Sequence, residues 1–184
     1  NPWFPPELDG ERRNLLLRDP DSYQNVWEGK TKNVAGDIFK REWFRFYRPE
    51  DLPEVWDVDC LSWDMTFKDG EKNDNVCGQA WARRGPNSYL LGQTLGKMAF
   101  TDTVRAFLHQ MIAFPAIGAK LVEDKANGPA VIDYLKNKIP GLIPIEPDGS
   151  KEARAHAVTP YVRAGNVFLP DPAFNPWVLL FLSE

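Results

Sequence analysis

Residues 55–67, VWDVDCLSWDMTF, have the β-branched and aromatic side chains of a strand, yet Asp57, Asp59 and Asp64 interrupt them. A lone carboxylate in an apolar interior is costly unless a cation or hydrogen-bond donors meet it. Asp64 is the residue to explain, because Cys60, Leu61 and Trp63 precede it and Met65 and Phe67 follow it. Asp57 and Asp59 read as surface residues early in the strand, and Asp64 reads as a candidate ligand for a cation.

Downstream, the polar turn KDGEKNDN (68–75) leads to a second strand over 76–83, and RGPN (84–87) leads to a third over 88–98. Three strands joined by short polar turns predict an antiparallel meander. In TDTVRAFLHQMIAF, Val104, Phe107, Leu108, Met111 and Ile112 recur at helical spacing, with Thr101 as the expected N-cap. His109, at the border of that face, takes no functional role. AKLVED (119–124) is a short strand ending in acids, followed by a helix over 129–138. A buried strand over 142–145 follows, then a helix over 151–163 stopped by Gly165, a brief strand over 167–169 and a last helix from Pro176. A meander followed by strands alternating with helices predicts an α/β fold, a mixed sheet with helices on both faces.

Upstream, IFKREWFRFY (38–47) mixes aromatic residues with Lys40, Arg41 and Arg45. It suits an amphipathic edge strand, with an aromatic and basic nucleic-acid surface as the alternative. Residues 1–36 are too few for a domain and read as a connecting arm, which leaves 37–184 as the main domain. A chain of 184 residues, 43% of them hydrophobic, can bury a proper core. The net charge of -4 argues against a generally basic nucleic-acid binder and leaves a local basic face open. Cys60 and Cys77 lack metal-ligand spacing and suit a reduced, intracellular protein. No apolar run reaches transmembrane length, so no membrane partner is expected. The sequence holds no GxxxxGK[ST] phosphate loop and does not begin with Met, so the chain reads as part of something longer.

Acids at the ends of two strands of an open α/β sheet can meet although they lie far apart in sequence. Asp64 and the acidic pair Glu123 and Asp124 qualify. Side chains alternate along a strand, so only one of that pair can share a face with Asp64; Asp124 is favoured as nearer the loop, with Glu123 as its competitor. Asp69 and Asp74 are outer candidates, or simply solvate a turn. Hard oxygen ligands without His or Cys suit Mg2+ or Mn2+ rather than Zn2+. A pair of such ions can activate water on one side of a phosphodiester and stabilise the leaving oxygen on the other. Lys151 and Arg154 lie three apart at the start of a helix and can share a face toward a phosphate backbone.

Three blocks in order, SWDMTFKDGEKNDN (62–75), VEDKANGPAVIDYL (122–135) and KEARAHAVTPYVRAGNVFLP (151–170), resemble the nuclease domain of the large terminase subunit of tailed double-stranded-DNA bacteriophages. The likeness extends over about 38–184, and NPWFPPEL with DPDSYQNVWEGK resembles the segment where the terminase ATPase motor hands over to the nuclease. It implies a ribonuclease H-like fold and a metal-dependent endonuclease that cleaves concatemeric viral DNA during packaging. Asp64 then matches the family's first catalytic acid, Asp124 or Glu123 its second, and a third is expected in a motif after Glu184. The implied partners are double-stranded DNA, the ATPase motor of the same polypeptide, the portal and the small terminase subunit. The implied place is the host cytoplasm, at the procapsid and not in the mature virion. The competing expectations are a non-catalytic module docking to DNA or portal, and another ribonuclease H-like nuclease such as a junction resolvase.

Overall fold

The computed structural model describes residues 6–18, 27, 38–65, 75–124 and 128–182. Seven strands follow one another along the chain: β1 (Arg45–Tyr47), β2 (Val58–Asp64), β3 (Val76–Arg84), β4 (Asn87–Gly96), β5 (Ala119–Glu123), β6 (Leu142–Ile145) and β7 (Val167–Pro170). The helices are α1 (Pro6–Arg18), α2 (Phe100–Ala113), α3 (Gly128–Leu135), α4 (Lys151–Arg163) and α5 (Trp177–Phe181). The strands form one sheet in the order β1-β7-β4-β3-β2-β5-β6. The expected meander is its centre: β2 pairs antiparallel with β3, and β3 with β4. Every other pairing, β2 with β5, β5 with β6, β4 with β7 and β1 with β7, is parallel. Such parallel pairs need the crossover segments that carry the helices.

Strand alternation divides the residues between two cores. Leu61 and Trp63 of β2, Val76 and Ala80 of β3 and Val122 of β5 turn to one face, where they bury against Val104 and Phe107 of α2 and Val131, Ile132 and Leu135 of α3. Trp63 meets Phe107 edge-on, with ring centroids 5.4 Å apart. Gly78 lets the Trp63 indole lie directly on the β3 backbone, since a Cβ there would overlap the ring. On the other face Leu90, Leu169 and Val178 form a smaller core with Trp81, Trp177 and Phe181, so α5 covers that side. Across β3 and β4, Gln79 donates to Gln93 at 2.7 Å and accepts from the Trp81 indole at 2.9 Å. A bulge at Ala80/Trp81 sets Trp81 opposite Leu90 and leaves Leu91 to pack into the first core.

Three expectations are corrected. Helix α2 starts at Phe100 after Ala99, not at a Thr101 cap, and the Thr103 hydroxyl donates to the Ala99 carbonyl at 3.0 Å. Its buried face is also rotated: Ile112 is 76% exposed, while Gln110 is buried and donates to the Gly78 carbonyl. Strand β6 is an edge, not a buried strand, so Ile143 and Ile145 stay exposed. The basic-aromatic stretch does end in an edge strand, β1, after a short 3-10 turn at Arg41–Trp43. Gly165 closes α4 as expected, at a positive φ of 74°.

Candidate active site

The pairing of β2 with β5 decides which acids meet. Ser62 stands opposite Leu121, and Trp63 opposite Val122. Trp63 and Val122 turn into the first core, so the next pair along, Asp64 and Glu123, turns to the opposite face. Both carboxylates are half-buried. They line a cleft of about 440 Å³ with Ser62, Leu121, Ile145, Glu146, Asp148 and Arg154. Asp124 does not line it; its backbone N–H donates to the Ile145 carbonyl at 2.8 Å, which ties the chain to the β6 edge. Of the two residues left open by the sequence, Glu123 is the one brought together with Asp64.

The first turn of α4 reaches the same cleft. Ser150 caps the helix, its hydroxyl accepting from the Ala153 N–H at 3.1 Å. Lys151, the first helical residue, places Nζ 3.2 Å from Oδ2 of Asp64. Arg154, one turn on, lines the cleft and donates to the Gly149 carbonyl at 3.2 Å. Both residues expected to face a phosphate backbone therefore stand beside the acids.

Glu146 and Asp148 escape a reading of the sequence. They follow β6 directly, and loops at the carboxyl ends of adjacent parallel strands gather at one edge of the sheet. That rule is the available signal. Asp69 and Asp74 lie outside the described residues. Asp57, as expected, belongs to the surface: it accepts from the Gly85 N–H at 2.7 Å and from Arg84 at 2.7 Å. The Gly85 amide first, then the Arg84 guanidinium, hold its carboxyl below the usual range against an opposing desolvation effect. Asp171 lies elsewhere, its N–H donating to the Tyr47 carbonyl beside β1.

Among the described residues no three Asp, Glu, His or Cys side chains stand together as a ready-made metal cage. Two carboxylates at an open cleft nevertheless fit Mg2+ or Mn2+, which are commonly held by one or two carboxylates with water and substrate phosphate completing the shell. Tetrahedral zinc coordination by His and Cys does not fit these residues.

The architecture matches solved structures. Over 78% of this chain it superposes on the large terminase nuclease of thermophilic phage G20c with bound zinc (TM-score 0.54, 13% identity, 86% of that chain). The nuclease domain of the large terminase g2p of bacteriophage SPP1 with bound Mn matches over 78% of each chain (TM-score 0.53, 12% identity). The fold is that of the terminase nuclease domains. It is thus ribonuclease H-like, as the three sequence blocks implied. The large terminase of a further thermophilic bacteriophage matches 77% of this chain (TM-score 0.52, 12% identity), and the chain spans 36% of that protein's length. No protein-family model matches the sequence, and no curated protein matches it significantly. Among the described residues no helix is long and apolar enough to cross a membrane.

Proposed function

We propose that this chain is a metal-dependent DNA endonuclease that cleaves concatemeric viral DNA during genome packaging. One observation carries the reading: Asp64 and Glu123 leave the ends of adjacent parallel strands on one face, at an open cleft, in a fold shared with terminase nuclease domains. Asp64 and Glu123 are the residues that would hold Mg2+ or Mn2+, with Asp124 as the alternative second ligand. The ions, two in this reading, supply Lewis-acid stabilisation of charge on phosphate oxygens. Neighbouring structures with bound Mn and zinc support a divalent requirement. The chain's own part is to orient the carboxylates from rigid strand ends and to meet DNA phosphates with Lys151 and Arg154. Contacts of that kind are not sequence-specific.

In this reading residues 1–36 connect to an ATPase motor in the same polypeptide, and the portal and small terminase subunit are the further partners. The work takes place in the host cytoplasm at the procapsid, and the mature virion lacks the protein.

Plasmid cleavage in Mn2+ tests the assignment. Asp64→Asn and Glu123→Gln are each expected to slow cleavage by about 10²–10³-fold, as loss of one preorganised charge-stabilising group does, while Asp124→Asn costs less. An Asp64→Asn protein that cuts at the wild-type rate rules the assignment out. The second reading, a docking module without catalysis, draws on the lack of a three-residue cage among the described residues. It predicts DNA or portal binding with no cleavage in any divalent ion. A junction resolvase would instead prefer four-way junctions to linear duplex.

A further inference from the structure

Lys151 stands at a position where a cation is unfavourable. It is the first residue of α4, and the free amides and dipole of a helix N-terminus favour anions there. Its ammonium reaches instead across to Oδ2 of Asp64, a residue of another element far away in the chain, at 3.2 Å. The lysine side chain remains 78% exposed and that of Asp64 34% exposed. An ion pair so open is worth only about 1.5- to 5-fold in an equilibrium constant. It therefore holds the carboxylate without locking it. Arg154, which lines the cleft, is engaged differently, since its guanidinium bonds the Gly149 carbonyl and braces the loop before α4.

We propose, on the footing of the metal-dependent reading above, that Lys151 is a built-in counter-ion of the site. Its ammonium neutralises Asp64 while the divalent cation is absent, is displaced when that cation takes the carboxylate, and then passes to a phosphate of the DNA. A single positive charge on a flexible stem competes poorly with a divalent ion shared by two carboxylates. The four-carbon stem lets the ammonium swing with no backbone movement. The arrangement couples the two ligands: the cation that loads the site also releases a lysine to grip the DNA.

Isothermal titration of Mn2+ into the 184-residue chain, without DNA, tests the first half. Lys151→Gln is expected to bind Mn2+ about 2- to 5-fold tighter than wild type. Arg154→Gln is expected to change the affinity less, because its guanidinium bonds the Gly149 carbonyl instead. Asp64→Asn is expected to lose the binding. If Asp64→Asn loses it but Lys151→Gln matches wild type or binds more weakly, the counter-ion role is overturned and the metal site stands. If Asp64→Asn binds Mn2+ as tightly as wild type, both fall. Equal tightening by Lys151→Gln and Arg154→Gln would trace the effect to bulk charge and overturn the specific contact. Fluorescence anisotropy of duplex DNA in Ca2+ at graded salt tests the second half. There Lys151→Gln should lower the slope of log affinity against log salt by about one. An unchanged slope overturns the transfer to phosphate.

Discussion

Tyr47 is one residue through which alkaline pH reaches the fold. Its hydroxyl donates to the Leu90 carbonyl at 2.8 Å, joining edge strand β1 to β4, and burial pushes its pKa up to about 12. Below the ordinary phenol value near 10, folded and unfolded chains both hold the proton and the contribution is complete. As the pH rises from there toward 12, the unfolded phenol ionises first, so stability falls. Urea unfolding of Tyr47→Phe should show a loss of about 0.5–1.5 kcal/mol at pH 7, the value of one buried hydrogen bond, and a shallower decline above about pH 10 than wild type. A decline of equal steepness would place the alkaline sensitivity elsewhere. The acids obey different logic, because their positions are set by strand register rather than by burial. Alternation alone says that one of Glu123 and Asp124 joins Asp64, and nearness to the loop favours Asp124, whereas Glu123 is the one that lines the cleft. Only the pairing of Trp63 with Val122, a long-range property, brings Glu123 forward.

At the scale of elements, the meander is legible because its turns are written in Gly, Pro, Asn and Asp, and its strands in alternation. Helix α2 is legible as a helix, but its inner face is not. Periodicity counts Ile112 as apolar and cannot foresee that Gln110 is drawn inward to satisfy the Gly78 carbonyl. The same contact fixes a prediction about how the helix and sheet fit. A methyl group at Gly78 has no space beside the Trp63 indole, which Phe107 backs from α2. Gly78→Ala should therefore cost about 1–3 kcal/mol of folding stability, read from the urea midpoint, as overpacked cores do. A neutral outcome would mean that the indole shifts freely, contrary to its burial at 1% exposure. Strand β6 reads as buried because its residues are apolar, yet edge position is a matter of topology. Glu146 and Asp148 go unnoticed for a related reason: loop acids after a strand look like ordinary solvated turn residues until the neighbouring strand ends are known.

The whole molecule carries net charge -4, yet Lys151 and Arg154 stand beside the acids of its cleft. A cation that binds only the folded chain stabilises it by mass action. At about ten times its Kd, Mn2+ should add about 1.4 kcal/mol, which raises Tm by about 3–6 °C in a chain of this size. Thermal unfolding with and without Mn2+ measures this, and Asp64→Asn should abolish the rise. A rise that survives in Asp64→Asn would put the ion elsewhere. The parallel pairing of β2 with β5 has a bearing on folding itself. The β2–β3–β4 meander needs only local contacts, whereas setting Glu123 beside Asp64 requires closure of the long segment that contains the meander's later strands and α2. Loop-closure entropy makes such non-local parallel pairing a late and slow event. A chain that has formed only its hairpins has its first acid in place and lacks the second. On the nuclease reading, partly folded molecules thus lack a complete metal site and cannot nick DNA.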